Sequence, residues 1–125
     1  MELTAEQVAQ YERDGFLIFP DLFSAEEVAV LRSEVERVSR IDSEMVVREG
    51  DDGAVKIMFR LHEEDGETAS TAFRAAARTS RVLRAAQQCL RDDNVYIHHS
   101  KLNMKAAIEG SAWPWHQDFH SWHLD

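Results

Sequence analysis

Apolar positions along this chain follow two periods, and the change from one to the other marks its elements. Val28, Leu31, Val35 and Val38 recur at helical spacing, which places them on one stripe with the charges elsewhere. Ser24-Ala25-Glu26-Glu27 opens that helix as a capping box, in which serine and glutamate side chains each satisfy a backbone amide left unpaired by the first turn. The helix is predicted to run to about Arg40. Thr4-Ala5-Glu6-Gln7 is a second capping box, ahead of a helix that should reach about Asp14 and stop at Gly15. Between the two, Phe16-Leu17-Ile18-Phe19 is an unbroken apolar run before Pro20, the pattern of a short buried strand.

Further along, Met45–Arg48 and Val55–Leu61 flank Asp51-Asp52-Gly53, which predicts a hairpin turning at Asp52-Gly53. His62–Glu67 is an acidic loop; a solvated loop is the simpler reading, and a metal site built from His62 and its carboxylates is the other. Ala69–Ala77 is alanine-rich and helical, and Ser80 caps a further helix through Val82, Leu83, Ala86 and Leu90. After a turn at Asp92-Asp93-Asn94, Val95–Lys105 alternates as a strand. One face carries Tyr96, His98, Ser100, Leu102 and Met104; the other carries Val95, Ile97, His99, Lys101, Asn103 and Lys105. Glu109-Gly110-Ser111 turns the chain into a last strand over Trp113–Asp118. Helices dominate the first half and strands the second, which predicts an α+β domain with helices packed outside a sheet. With no repeat, low-complexity tract or linker, residues 1–125 read as one domain. The polar row His99, Lys101, Asn103 and Lys105 faces either solvent or the wall of a polar pocket, and the pattern leaves both open.

Composition narrows the class. A chain of 125 residues, 44% hydrophobic and 30% charged, is an ordinary soluble globular sequence long enough for one small core. A net charge of -9 argues against nucleic acid and anionic membranes as partners. No run of about 18 apolar residues is present to span a bilayer, and the N-terminus has no basic and apolar signal pattern. The single cysteine, Cys89, rules out an internal disulfide framework and reads as a buried structural thiol. A reducing cytoplasm fits these features.

The candidate chemistry lies in Trp113–His123. His116-x-Asp118 on a strand would put an imidazole and a carboxylate on one face, as neighbouring ligands of one metal ion. That pair contributes two members of a facial triad of two histidines and one carboxylate, which leaves positions open on non-haem Fe(II). Trp113, Trp115, Phe119 and Trp122 would exclude water around it. A His-x-Asp pair also arises as a surface accident or a hydrogen-bonded structural pair. His116, His120 and His123 offer a competing site for adventitious zinc or nickel, favoured if the stretch were helical; Pro114 and the aromatic residues favour a strand.

Several stretches together resemble the phytanoyl-CoA dioxygenase family of Fe(II)/2-oxoglutarate oxygenases, and within it the ectoine hydroxylase type. Gln7-x-x-x-Tyr11-x-x-Asp14-Gly15-Phe16 and Leu22-Phe23-Ser24-x-Glu26-Glu27 match its opening. Trp115-His116-Gln117-Asp118-Phe119-His120-Ser121-Trp122-His123 is similar to its signature Trp-His-Ser-Asp-Phe-Glu-Thr-Trp-His. The resemblance implies His116 and Asp118 as iron ligands, Asn103 and Lys105 as contacts of 2-oxoglutarate, and Phe59, His99, Lys101 and Trp122 around the substrate. It implies a small-molecule substrate and molecular oxygen as reactants. It also implies the helices and first strands of a double-stranded β-helix, a jelly-roll or cupin-like fold of about eight core strands.

Departures from the family pattern matter as much. His99 stands where ectoine hydroxylases carry Gln, Lys101 where they carry Arg, and Gln117 and His120 replace Ser and Glu. Lysine lacks the bidentate fork of arginine, so the expected substrate is another small polar molecule, an amino acid or amino-acid derivative. The retained carboxylate of Asp118 favours hydroxylation over halogenation. The family's second ligand histidine and its 2-oxoglutarate arginine fall beyond Asp125, and His120, though on the face of His116 and Asp118 in a strand, lies further along than the usual third-ligand place. The sequence therefore reads as the N-terminal portion of a dioxygenase domain, whose incomplete sheet calls for a homo-oligomer or a C-terminal half. The alternative is a non-catalytic structural or interaction module that keeps the first half of the fold.

Overall fold

A computed structural model describes residues 2–50, 53–105 and 112–117. Both capping boxes form. Thr4 Oγ1 accepts from the Gln7 amide at 3.2 Å and the Gln7 side chain accepts from the Thr4 amide at 2.9 Å; Ser24 and Glu27 repeat the exchange at 3.2 and 2.8 Å. They start helices α1 (Ala5–Asp14) and α2 (Ala25–Val38). Gly15 ends α1 at φ 80, a left-handed conformation that costs glycine little, and donates to the Tyr11 carbonyl at 2.8 Å. Strand β1 (Val46–Arg48) and strand β2 (Val55–Phe59) form the expected hairpin. Helices α3 (Thr71–Ala77) and α4 (Ser80–Leu90) follow, and strand β3 (Lys101–Asn103) returns antiparallel to β2. The sheet order β1-β2-β3 leaves β2 in the centre. The described residues are thus α+β.

The hairpin contains a shift that decides which side chains face inward. Val46 opposes Met58 and Val47 opposes Ile57, but Arg48 opposes Val55, so Lys56 is an extra residue on β2. The bulge returns Val55 to the inner face beside Val46 and Met58. The hairpin tip is closed by the Glu49 amide on the Ala54 carbonyl at 3.0 Å. A Cβ on Gly53 would lie 1.6 Å from the Glu49 carbonyl oxygen, so close backbone approach requires glycine there. Asp51 and Asp52 lie outside the described residues.

The core forms where the α2 stripe meets the sheet. Val38, Val46, Met58 and Leu61 are buried, with Val35, Ile41, Val55, Phe73, Leu102 and Met104 packed around them. Burying a side chain such as Met58 or Val38, each 0% exposed, contributes about 1.5–3 kcal/mol. The stripe frays outward: Leu31 is half-buried and Val28 exposed. Helix α4 lies against α1, joined by Gln88 to the Leu3 amide at 2.7 Å and by the ion pair of Arg91 with Glu12. No helix among the described residues is long and apolar enough to cross a membrane.

Three expectations are corrected. Phe16–Phe19 is not a strand: Phe16 is 56% and Ile18 76% exposed, and no ladder forms there among the described residues. An apolar run makes a strand only where a partner satisfies its backbone, and Pro20 removes one donor. Of Val95–Lys105, only Lys101–Asn103 is strand. The partner runs out, because Arg60 turns left-handed at φ 64 and takes the chain off β2; the Arg60 amide on the Ser100 carbonyl at 3.0 Å is the link at that end. Ser80 is the first residue of α4 rather than its cap. Thr79 holds the N-cap position, and its hydroxyl donates back to the Ala76 carbonyl at 2.9 Å.

Candidate functional site

The sheet has two different faces. Met58, Leu102 and Met104 turn to the helices and the core. Phe59 opposes Lys101 and Ile57 opposes Asn103, so these four side chains share the face away from the helical layer. The alternation read from the sequence therefore holds where the ladder holds. His99 joins this face, its ring centroid 5.7 Å from that of Phe59. Asn103 and Lys105 are exposed and Lys101 is half-buried. Phe59, His99, Lys101 and Asn103 are brought together, with Lys105 further along the same chain segment.

Residues 112–117 do not form the expected strand; they run without regular structure and are exposed. Proline at 114 has no amide to give to a ladder. Trp115 is fully exposed, whereas Trp113 is 37% exposed and lies under Lys56, whose Nζ is 5.3 Å from the ring centroid. His116 Nδ1 is 2.8 Å from the Pro114 carbonyl oxygen. A carbonyl only accepts, so Nδ1 carries the proton and Nε2 is the nitrogen whose lone pair a metal would use. Metal-binding histidines are commonly oriented by a bond of this kind. Asp118, Phe119, His120, Trp122 and His123 lie outside the described residues. Among those described, no group of three or more His, Cys, Asp or Glu residues is placed to hold a metal ion.

The acidic loop follows its simpler reading. His62 Nδ1 is hydrogen-bonded to Ser100 Oγ at 2.6 Å, Glu63 lies 3.6 Å from Arg60, and Glu64 receives Arg74 at 2.8 Å. Glu63 and Glu64 turn to arginines, and Glu67 accepts from the Ser43 hydroxyl. The Arg74 guanidinium holds the Glu64 carboxyl below its ordinary value. Beside this loop, a cavity of about 680 Å³ opens between α3, α4 and residues 95–102, lined by Phe73, Val82, Leu83, Leu90 and Ile97 among others. It lies mainly on the helical side, not over Phe59 and Asn103. The pairings of His62 with Ser100 and of Lys56 with Trp113 have no sequence signal, since each joins residues far apart in the chain.

Comparison with known proteins gives a consistent picture. The profile of the family described as Phytanoyl-CoA dioxygenase (PhyH) matches residues 11–125. The ectoine dioxygenase of Bordetella bronchiseptica is 40% identical over 127 residues, covering 98% of this chain and 39% of that protein. The L-proline trans-4-hydroxylase of Streptomyces griseoviridis is 40% identical over 114 residues, covering 91% of this chain and 40% of that protein. The crystal structure of EctD from S. alaskensis with bound Fe superposes with a TM-score of 0.82 at 32% identity, over 98% of this chain and 43% of that one. The same protein with 2-oxoglutarate and 5-hydroxyectoine gives 0.83 at 31% identity. The chain spans about two fifths of the length of the curated relatives it matches.

Proposed function

This chain belongs to the phytanoyl-CoA dioxygenase family, and we propose that it forms the N-terminal portion of an Fe(II)/2-oxoglutarate-dependent hydroxylase domain. Its helices and sheet are the first part of a double-stranded β-helix, acting in the cytoplasm. The observation that carries the reading is the His116 ring, whose Nδ1 bond to the Pro114 carbonyl sets the tautomer with its lone pair on Nε2.

In this reading His116 and Asp118 hold the iron. Asn103 and Lys105 hold 2-oxoglutarate, an amide and an ammonium suited to a carboxylate. Iron with 2-oxoglutarate and oxygen supplies the oxidation, and the protein orients and shields. Phe59, His99, Lys101 and Trp122 bound the substrate. The substrate is a small polar molecule, an amino acid or amino-acid derivative. Hydroxylation of L-proline in one relative and dioxygenation of ectoine in others support that class, while Lys101 and His99 speak against ectoine itself.

The test is 2-oxoglutarate decarboxylation with Fe(II) and a panel of amino acids, ectoine included. A longer polypeptide carrying a downstream histidine and arginine is expected to turn over with an amino acid and to lose turnover in His116→Ala and Asp118→Ala. Turnover absent from both lengths, with no His116-dependent metal binding, would leave the non-catalytic module as the reading.

A further inference from the structure

We propose that Lys56 is a positioning residue for His116, holding the segment 112–117 against the sheet through the ring of Trp113. This rests on the reading of His116 as a metal ligand. Three observations carry it. The bulge makes Lys56 the extra residue of β2, outside the regular pairing with β1. Its ammonium sits between a carboxylate and a ring: Glu49 Oε2 at 3.7 Å and the Trp113 centroid at 5.3 Å. Trp113 is partly covered while Trp115, two residues on, is fully exposed. The lysine itself is anchored from below, since its carbonyl accepts the Met104 amide at 2.8 Å.

The link from Trp113 to His116 is short, and its first step is stiff. Proline fixes its own φ and confines the preceding residue to extended conformations. Holding the Trp113 ring therefore narrows where Pro114 can sit, and the Pro114 carbonyl is the group that accepts from His116 Nδ1. A bulged lysine on the central strand is thereby connected to a ligand nitrogen in an otherwise exposed segment.

The experiment uses the full chain, with Co(II) as the metal probe and the imidazole signals of His116 followed by NMR. Lys56→Met keeps the apolar stem and removes the charge; Lys56→Arg keeps a cation for the ring. Lys56→Met is expected to move the His116 imidazole signal and to weaken Co(II) binding about fivefold, the scale of a cation–π contact at a partly exposed site. Lys56→Arg should restore both. Trp113→Leu should reproduce the loss and add nothing to Lys56→Met, because the two act through one contact. An unmoved signal with parental Co(II) binding in Lys56→Met, or losses that add in the double variant, would overturn the inference and leave the metal reading standing. Absence of His116-dependent Co(II) binding from this chain and from the longer polypeptide alike would overturn the metal reading, and the imidazole signal would then decide by itself whether Lys56 sets the ring.

Discussion

Ser70 ties α2, α3 and the segment that follows β2 together. It is buried at 2% exposure; its amide donates to the Leu61 carbonyl at 3.0 Å, its hydroxyl accepts from the Phe73 amide at 3.3 Å as the cap of α3, and the same hydroxyl donates to Glu34 on α2 at 2.5 Å. Removing it orphans an amide and one bond of a carboxylate, so Ser70→Ala should lower stability by about 2 kcal/mol in urea unfolding. Glu34 is also held by Arg37 at 3.0 and 2.9 Å. The bonds from Arg37 first, then from Ser70, lower its pKa from 4.5. A lowered native pKa contributes stability above the ordinary value and loses it as pH falls through the native one. The difference in urea midpoint between the parent and Glu34→Gln should thus be widest near neutral pH and close as pH drops below 4.5. None of this was legible in the sequence: the stripe showed α2 as amphipathic, but which polar residue on its border would meet a buried serine depends on how α2 crosses α3.

At the scale of elements, the capping boxes and the glycine stop of α1 were legible because each is a bargain among residues within one turn. Ser24→Ala is expected to cost about 1 kcal/mol, read as a lowered melting temperature with unchanged fold. The hairpin was legible too, and its tip should be the more sensitive place. Gly53→Ala would force the Glu49 carbonyl away from a new methyl group. We expect a loss above about 1 kcal/mol, with weakened amide protection along β1 and β2 in hydrogen exchange; a loss no larger than that of Ser24→Ala would show that the tip opens freely. The strands expected at Phe16–Phe19 and Val95–Ser100 were not there to find, since apolar runs and alternation describe a side-chain pattern and a strand also needs a neighbour. The bulge at Lys56 belongs to the same class: alternation alone puts Val55 with Ile57 and Phe59, and only the shifted pairing returns it to the core.

For the molecule as a whole, the sheet's two faces have unequal cover. Helices α2 and α3 pack on one face; on the other, Phe59, Lys101 and Asn103 form a face that no helix covers among the described residues. The cavity beside α4 is rimmed by exposed Leu83, Leu90 and Ile97, and contiguous apolar surface of this kind marks a place where further protein packs. The 125-residue polypeptide alone is accordingly expected to bind an apolar dye and to show little or no 2-oxoglutarate turnover, since loss of even a secondary partner of a metal site typically costs about 10–100-fold. Turnover at ordinary enzyme rates that disappears in His116→Ala would contradict this, and would mean that another histidine or a second chain completes the site.

By itself the sequence determined what is local or carried by spacing: two capped helices, a glycine-tipped hairpin, the alternation that puts Leu102 inside and Lys101 and Asn103 outside, and a His-x-Asp pair whose surroundings resemble one family. Tertiary structure decided which of the apolar runs found a strand partner, where the register of β2 slips, and that Lys56 sits over the ring of Trp113. The reason is physical. A capping box is closed by residues already neighbours in the chain, whereas a ladder, a bulge or a cation over a ring depends on groups brought together only after the chain has folded.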